Sequence, residues 1–331
     1  MASLLSVTLD TAARLAPGPA GKLAFRLFIR PLGRARLRPE EREVMDRART
    51  GRLTVNGVPV TTYRWGEGPR PVLLVHGWSS RASRFAGFAE ALLAQGHGVV
   101  AFDAPGHGES GGRAASVRDF REVIRLLHAE HGGFSAVVAH SVGVLSTLFT
   151  LRDGIRVERM AALGGVAHFG YLVAGFRKAL RVGPAVERVL RDHVEHRLLA
   201  GTPDVWRRLD ARENPGPSPE RLLLVHDEDD DMAAPGESRS LAAAYGERAR
   251  LIETKGLGHR RILGDAGVVA AVAAFIGEAE PHAGPAPAPD PARDSVQDPP
   301  AGAGAGAGAG SVAGSVADAD VDAAAAGVVV R

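Results

Sequence analysis

The amino-acid sequence predicts an α/β fold: a mostly parallel twisted sheet with helices on both faces and an inserted helical cap. Three observations carry that expectation. Apolar runs of buried-strand type at 71–75, 99–102, 136–139, 160–165 and 222–225 recur along the chain, and only a sheet covered on both faces buries such runs completely. Segments with helical periodicity alternate with the early runs, the rhythm of strand–helix–strand units. The rhythm breaks over 167–217, where only helical pieces occur, and then resumes.

Each element has a local reason. Residues 1–50 read as a helical extension, with Leu23, Phe25, Leu27, Phe28, Ile29 and Leu32 interleaved with Lys22, Arg26 and Arg30. Such a helix packs its apolar face on the domain or lies on a membrane surface. Pro31 ends or kinks it near Arg30. Asn56-Gly57 between two β-prone runs, 53–55 and 58–63, predicts a hairpin. A helix over about 83–95 follows the strand at 71–75, with Gly96 as its stop. Ser116 caps the next helix, which carries Val117, Phe120, Val123, Ile124 and Leu127. The run ending at Ser141 passes directly into a helical pattern beginning at Val142. Helical pieces at 171–180 and 184–199 form the cap. A helix near 237–245, a strand at 249–253 and a helix over about 265–277 complete the domain of 51–280. From 281 to 331 the chain is rich in Pro, Ala and Gly, including an Ala-Gly repeat at 301–310. That composition buries too little apolar surface to offset its ordering entropy, so a disordered tail is expected.

Composition narrows the function. A net charge of +2 over 331 residues gives no reason to expect a nucleic-acid partner. No cysteine is present, which removes thiol nucleophiles, disulfides and zinc–thiolate sites and fits a cytoplasmic location. No apolar run is long enough to span a bilayer, and the early Asp10 argues against a signal peptide.

The chemistry concentrates at strand ends. A serine at a strand-to-helix corner exposes its hydroxyl beside the next backbone N–H. To act as a nucleophile it needs a base, an orienting acid and oxyanion donors. His76-Gly77-Trp78 follows an earlier strand, the acidic run His226-Asp227-Glu228-Asp229-Asp230-Asp231 a later one, and Gly256-Leu257-Gly258-His259 the last. In a parallel sheet the carboxyl ends of strands converge on one crevice.

Over roughly residues 50–280 the chain resembles an α/β-hydrolase. The His76-Gly77 loop, Asp103-x-Pro105-Gly106-x-Gly108-x-Ser110, the elbow at Ser141, the acidic loop and Gly258-His259 fall in that family's order. The resemblance implies Ser141 as nucleophile, His259 as base, and the backbone N–H groups of Trp78 and Val142 as the oxyanion hole. It implies Asp230 as the acid, four residues after His226, with Asp229 as the next candidate. Two positions depart from the family pattern: Ala139 stands for the first elbow glycine, and Asp227 for the usual glycine of the acid loop.

Other readings of the same residues are weaker. Gly106–Gly111 matches a dinucleotide-binding pattern but lies several residues before the next helix, and a structural turn explains it. The pairs His128/His131 and His193/His196 have metal-ligand spacing without a supporting carboxylate motif, and read as solvated surface histidines. His76, His107 and His140 read as loop hydrogen-bonding residues. The acidic run lacks the spacing and glycine of a calcium loop. The expected activity is hydrolysis of a carboxylic ester, or a related acyl bond, through an acyl-enzyme, without cofactor or metal. The expected partner is a small-molecule ester or acyl substrate. The alternatives are a non-catalytic binding protein on the same fold and a membrane-surface lipase using the N-terminal helix.

Overall fold

The computed structural model describes residues 4–213 and 215–278. The tail expected at 281–331 lies outside the described residues. Three helices open the chain: α1 (Leu4–Leu15), α2 (Pro17–Phe28) and the short α3 (Arg42–Asp46). Pro17 starts α2, where its missing N–H costs nothing. The hairpin turns at Asn56-Gly57 between β1 (Arg49–Val55) and β2 (Val58–Trp65). There follow β3 (Val72–Val75), α4 (Ala86–Ala94), β4 (Val99–Phe102), α5 (Val117–His131), β5 (Ala136–His140), α6 (Val142–Leu151) and β6 (Arg159–Leu163). The Asp119 carboxylate accepts the Ser116 N–H and closes the start of α5. Helices α7 (Phe169–Leu180), α8 (Pro184–His193) and α9 (Val205–Arg208) are inserted before β7 (Arg221–Asp227). The last elements are α10 (Gly236–Tyr245), β8 (Ala249–Thr254), α11 (Gly258–Arg261) and α12 (Ala266–Gly277).

The eight strands form one sheet in the order β1-β2-β4-β3-β5-β6-β7-β8. β1 with β2 and β2 with β4 pair antiparallel; every other pair is parallel. β3, β5 and β6 are buried at every position, and alternate residues feed opposite faces. Leu73, Val75 and Val137 join Phe120, Ile124 and Leu145 from α5 and α6. Leu74, Val138 and Ala161 join Phe88, Leu92 and Val272 from α4 and α12. Because β3 has β4 on one side and β5 on the other, the sheet reverses its winding there. The crevice beyond the carboxyl ends of β3 and β5 is where such sheets place their sites.

The N-terminal helices bear on the inserted ones. Leu9, Ala13, Ala20 and Ala24 pack with Val182, Ala185, Val186 and Val189 around α8, and the Asp10 carboxylate accepts the Gly183 N–H at 2.8 and 2.9 Å. Phe28 sets its ring edge-to-face on Phe169 and Phe176. Arg34 donates to the carbonyls of His107, Gly108, Ser110 and Gly112, fixing the extension to the loop after β4.

Candidate active site

Ser141 joins β5 to α6 with φ 56° and ψ −124°, a conformation that costs a non-glycine residue about 1–3 kcal/mol. Its surroundings hold it there. Its N–H donates to Leu163 O at 3.0 Å and its carbonyl accepts from Val144 N–H at 3.0 Å. Two residues on, Gly143 lets α6 run against β3: a Cβ there would sit 2.6 Å from the His76 carbonyl oxygen. Ala139 adds only a methyl, and it is fully buried in the core.

His259 lies on α11 with its Nε2 3.0 Å from Ser141 Oγ and its Nδ1 2.7 Å from Asp230 Oδ2. Facing a carboxylate, Nδ1 carries the proton, so Nε2 presents its lone pair to the serine hydroxyl. Asp230 has no freedom to turn away. Its Oδ1 accepts the N–H groups of Met232 and Ala233, both at 2.8 Å, while Oδ2 also faces His226 Nε2 at 3.3 Å. Burial pushes the Asp230 carboxyl up; hydrogen bonds from His226 and His259, the His259 charge and the Ala233 N–H outweigh it and hold the group well below the usual carboxylate range. Asp229 and Asp231 are exposed, and Asp229 accepts the Gly256 N–H at 3.0 Å instead.

His226 is fully buried, and its tautomer follows from its partners. Nε2 faces two acceptors, Ala233 O at 2.9 Å and the Asp230 carboxylate, so it carries the proton; Nδ1 then accepts from Ser238 Oγ at 2.6 Å. In the sequence the spacing from His226 to Asp230 is only a landmark; in the structure the imidazole itself supports the acid. Of the other histidines, His76 and His107 bond to backbone groups of the loops after β3 and β4, whereas His140, expected in a loop, is the last residue of β5 and reaches α11. His76 donates from Nδ1 to Gly77 O and accepts the Ala104 N–H at Nε2. His107 donates to Pro105 O and His140 to His259 O. Burial, reinforced by neighbouring imidazoles, lowers both His107 and His140 to about 3, so they stay neutral. His128 and His193 are not simply solvated, as the sequence suggested: they pack on Phe134 and Phe25, where the helices meet other elements. Among the described residues no cluster of His, Cys, Asp or Glu is arranged to hold a metal, and no helix is long and apolar enough to cross a membrane.

Asp227, the departure from the resembled pattern, has a structural task. Its Oδ1 accepts the N–H groups of Asp229 and Gly258, and its Oδ2 the Leu257 N–H and the Thr254 hydroxyl, at 2.7–3.1 Å. One buried carboxylate thus ties the loop of Asp230 to the loop of His259. Burial would raise its pKa; the four donors outweigh burial and lower it. Asp227→Ala is expected to lower stability by about 2–4 kcal/mol, read from the urea midpoint, because it leaves these donors unpaired. The sign of the pH effect follows from the lowered folded-state pKa of Asp227 and Asp230. The unfolded chain binds more protons below about pH 4, so their contribution is fully present above that pH and is lost progressively as pH falls below it through the lowered folded-state values. Unfolding free energy measured against pH is expected to fall less steeply at the acid end in Asp227→Ala.

Gly164, just after β6, has φ 51°, and a Cβ there would come within 3.3 Å of both Asp230 Oδ2 and His259 Nδ1. Gly164→Ala is expected to push these two side chains apart and lower turnover by about 10²-fold in a folded protein, checked by steady-state kinetics beside a thermal melt.

Val142 opens α6, so its N–H belongs to the first turn, which has no intrahelical acceptor. Trp78 follows Gly77 in the loop after β3. A Cβ on Gly77 would lie 2.8 Å from Ser141 Cβ, so this loop runs directly against the serine. The Trp78 ring meets His107 edge-on at 5.1 Å. From the inserted helices, the Tyr171 hydroxyl donates to Met232 O and accepts the Ala234 N–H, fastening α7 to the loop that carries Asp230.

The comparisons with known proteins bear on the fold. Residues 69–174 match a family described as serine aminopeptidase, S33; the matched segment contains Trp78 and Ser141. No curated protein matches the chain in sequence. Among solved structures the chain is similar to alpha/beta hydrolase domain-containing protein 10 from mouse, at 15% identity with a TM-score of 0.54, over 69% of this chain and 97% of that one. It is also similar to an esterase from Pyrococcus furiosus, at 17% identity with a TM-score of 0.55, over 75% of this chain and 97% of that one. The strand order, the matched segment and these likenesses together make the chain an α/β-hydrolase-fold protein, in which the match supports a hydrolytic role.

Proposed function

We propose that the protein is a serine hydrolase that cleaves a carboxylic ester through an acyl-enzyme. The observation that carries the reading is the unbroken line from Ser141 Oγ to His259 Nε2 and from His259 Nδ1 to Asp230, set on a strained serine. His259 takes the proton as Ser141 Oγ attacks the substrate carbonyl. The tetrahedral oxyanion is held by the N–H groups of Trp78 and Val142. His259 then protonates the leaving alcohol, and a water activated by the same imidazole releases the acid. Half-buried Trp78, in the loop that runs against Ser141, favours an apolar acyl or alcohol group.

An aminopeptidase reading would follow the description of the matched family, but the buried carboxylates around the triad do not favour it. Asp227 and Asp230 are committed as described, and Glu237 accepts the Ala167 N–H at 2.9 Å. They are occupied by protein donors rather than held for a substrate ammonium. The test is fluorophosphonate labelling of the intact chain, with a p-nitrophenyl ester chain-length series and an aminoacyl p-nitroanilide alongside. Labelling with ester turnover and a chain-length optimum is the expected result. A folded chain that neither labels nor turns over any ester overturns the reading, and anilide turnover exceeding ester turnover replaces the ester with a peptide.

A further inference from the structure

Six large apolar side chains stand exposed among the described residues, and five of them lie in the first two helices or just beyond: Leu4, Val7, Leu15, Leu23 and Leu32. Leu4 and Leu15 are 86% and 80% exposed. Single exposed leucines are ordinary; a concentration of them on one segment marks a contact surface. The helices are not short of a packing face, since α1 and α2 already bury Leu9, Ala13, Ala20 and Ala24 against α8. The large residues point away from that interface.

Charge identifies what would cover them. Residues 4–38 hold seven basic residues and one acidic one. The acidic one, Asp10, is spent on Gly183 N–H. Arg34 and Arg38 have partners in Gly108 O and Glu41, but Arg14, Lys22, Arg26 and Arg30 are exposed beside the leucines. A second copy docked by the same face would bring the same positive charge against itself. A nucleic acid would meet the charge but offer nothing apolar to the leucines. A bilayer with anionic headgroups satisfies both, because basic side chains sit at the phosphates while apolar ones enter the acyl boundary. We infer that the outer face of α1 and α2, with Leu32, docks on an anionic lipid surface, holding the protein there by helices that themselves rest on the α7–α8 insertion.

The experiment is co-sedimentation of the full chain with vesicles of phosphatidylcholine alone and of equimolar phosphatidylcholine and phosphatidylglycerol. Two multiple variants accompany the wild type: Leu4→Gln/Leu15→Gln/Leu23→Gln, and Lys22→Glu/Arg26→Glu. All five positions are exposed, and circular dichroism melts check that each variant folds. The expected result is pelleting with the anionic vesicles only, with the partition coefficient falling on the order of tenfold or more in each variant. If the triple leucine variant melts early, the charge-reversal variant decides. Absence of pelleting with anionic vesicles, or pelleting that the folded variants retain, overturns the inference. So does a concentration-dependent dimer that the leucine variant abolishes without any vesicle binding, which would make the face a contact between copies.

Discussion

Replacing Ser141 with alanine is expected to lower kcat on the best ester by about 10⁴–10⁶-fold and to abolish fluorophosphonate labelling. The reason is local. Ser141 Oγ is the oxygen within 3.0 Å of the His259 lone pair, and a second hydroxyl in its place would have to be carried by another residue at the same corner. His259→Ala should cost a similar factor, and the double variant little more than either single one, because groups that act as a unit do not contribute additively. The backbone offers an independent check on the strain. Alanine keeps the Cβ at φ 56°, whereas glycine removes the steric penalty. Ser141→Gly should therefore be inactive yet more stable than Ser141→Ala by about 1 kcal/mol, read from urea midpoints. Equal stability of the two variants would mean that the serine is not strained, and retained labelling in Ser141→Ala would move the nucleophile elsewhere.

What could be read in advance depended on how locally each feature is encoded. The buried strands are legible because a sheet covered on both faces requires continuous apolar runs, and Leu73–Val75 and Val137–Ala139 supply them. Ser141 is legible because it stands between such a run and a helical pattern. The acidic loop is harder. Five consecutive acidic residues, Asp227 to Asp231, start at the last residue of β7 and run into a turn, where neither a period of 2 nor one of 3.6 tells which carboxylate faces inward. The choice is made by donors far away in sequence: His259 for Asp230, and Leu257 and Gly258 for Asp227. The second of these is why an aspartate serves where the resembled pattern has glycine. The N-terminal helices show another limit. Hydropathy directs large apolar residues inward, but α2 crosses α8 so closely that a Cβ on Gly21 would lie 3.0 Å from the Val189 carbonyl oxygen. Small residues therefore make that contact, and Leu23 is left outside.

Asp230→Asn is expected to lower kcat by about 10⁴-fold while leaving the fold intact, whereas Asp229→Asn should change kcat by less than about threefold. The contrast rests on what each oxygen receives. Oδ1 of Asp230 accepts two backbone N–H groups, and Oδ2 faces the N–H groups of His259 and His226. Every partner is a donor, so an amide NH₂ opposes donors in either orientation. The least costly escape is for His259 to move its proton from Nδ1 to Nε2, where it can accept from the amide at Nδ1 but no longer from Ser141 at Nε2. The nucleophile then loses its base although no atom has left the site. Asp229 is exposed and accepts one N–H, from Gly256, which an asparagine carbonyl accepts equally well. Kinetics on the two variants, with far-ultraviolet circular dichroism melts as the fold control, separates the candidates. A large loss in Asp229→Asn together with a small one in Asp230→Asn would reverse the assignment. Equal small losses would mean that His259 keeps its tautomer without a carboxylate, and the orienting role would then pass to its backbone contact with the His140 ring.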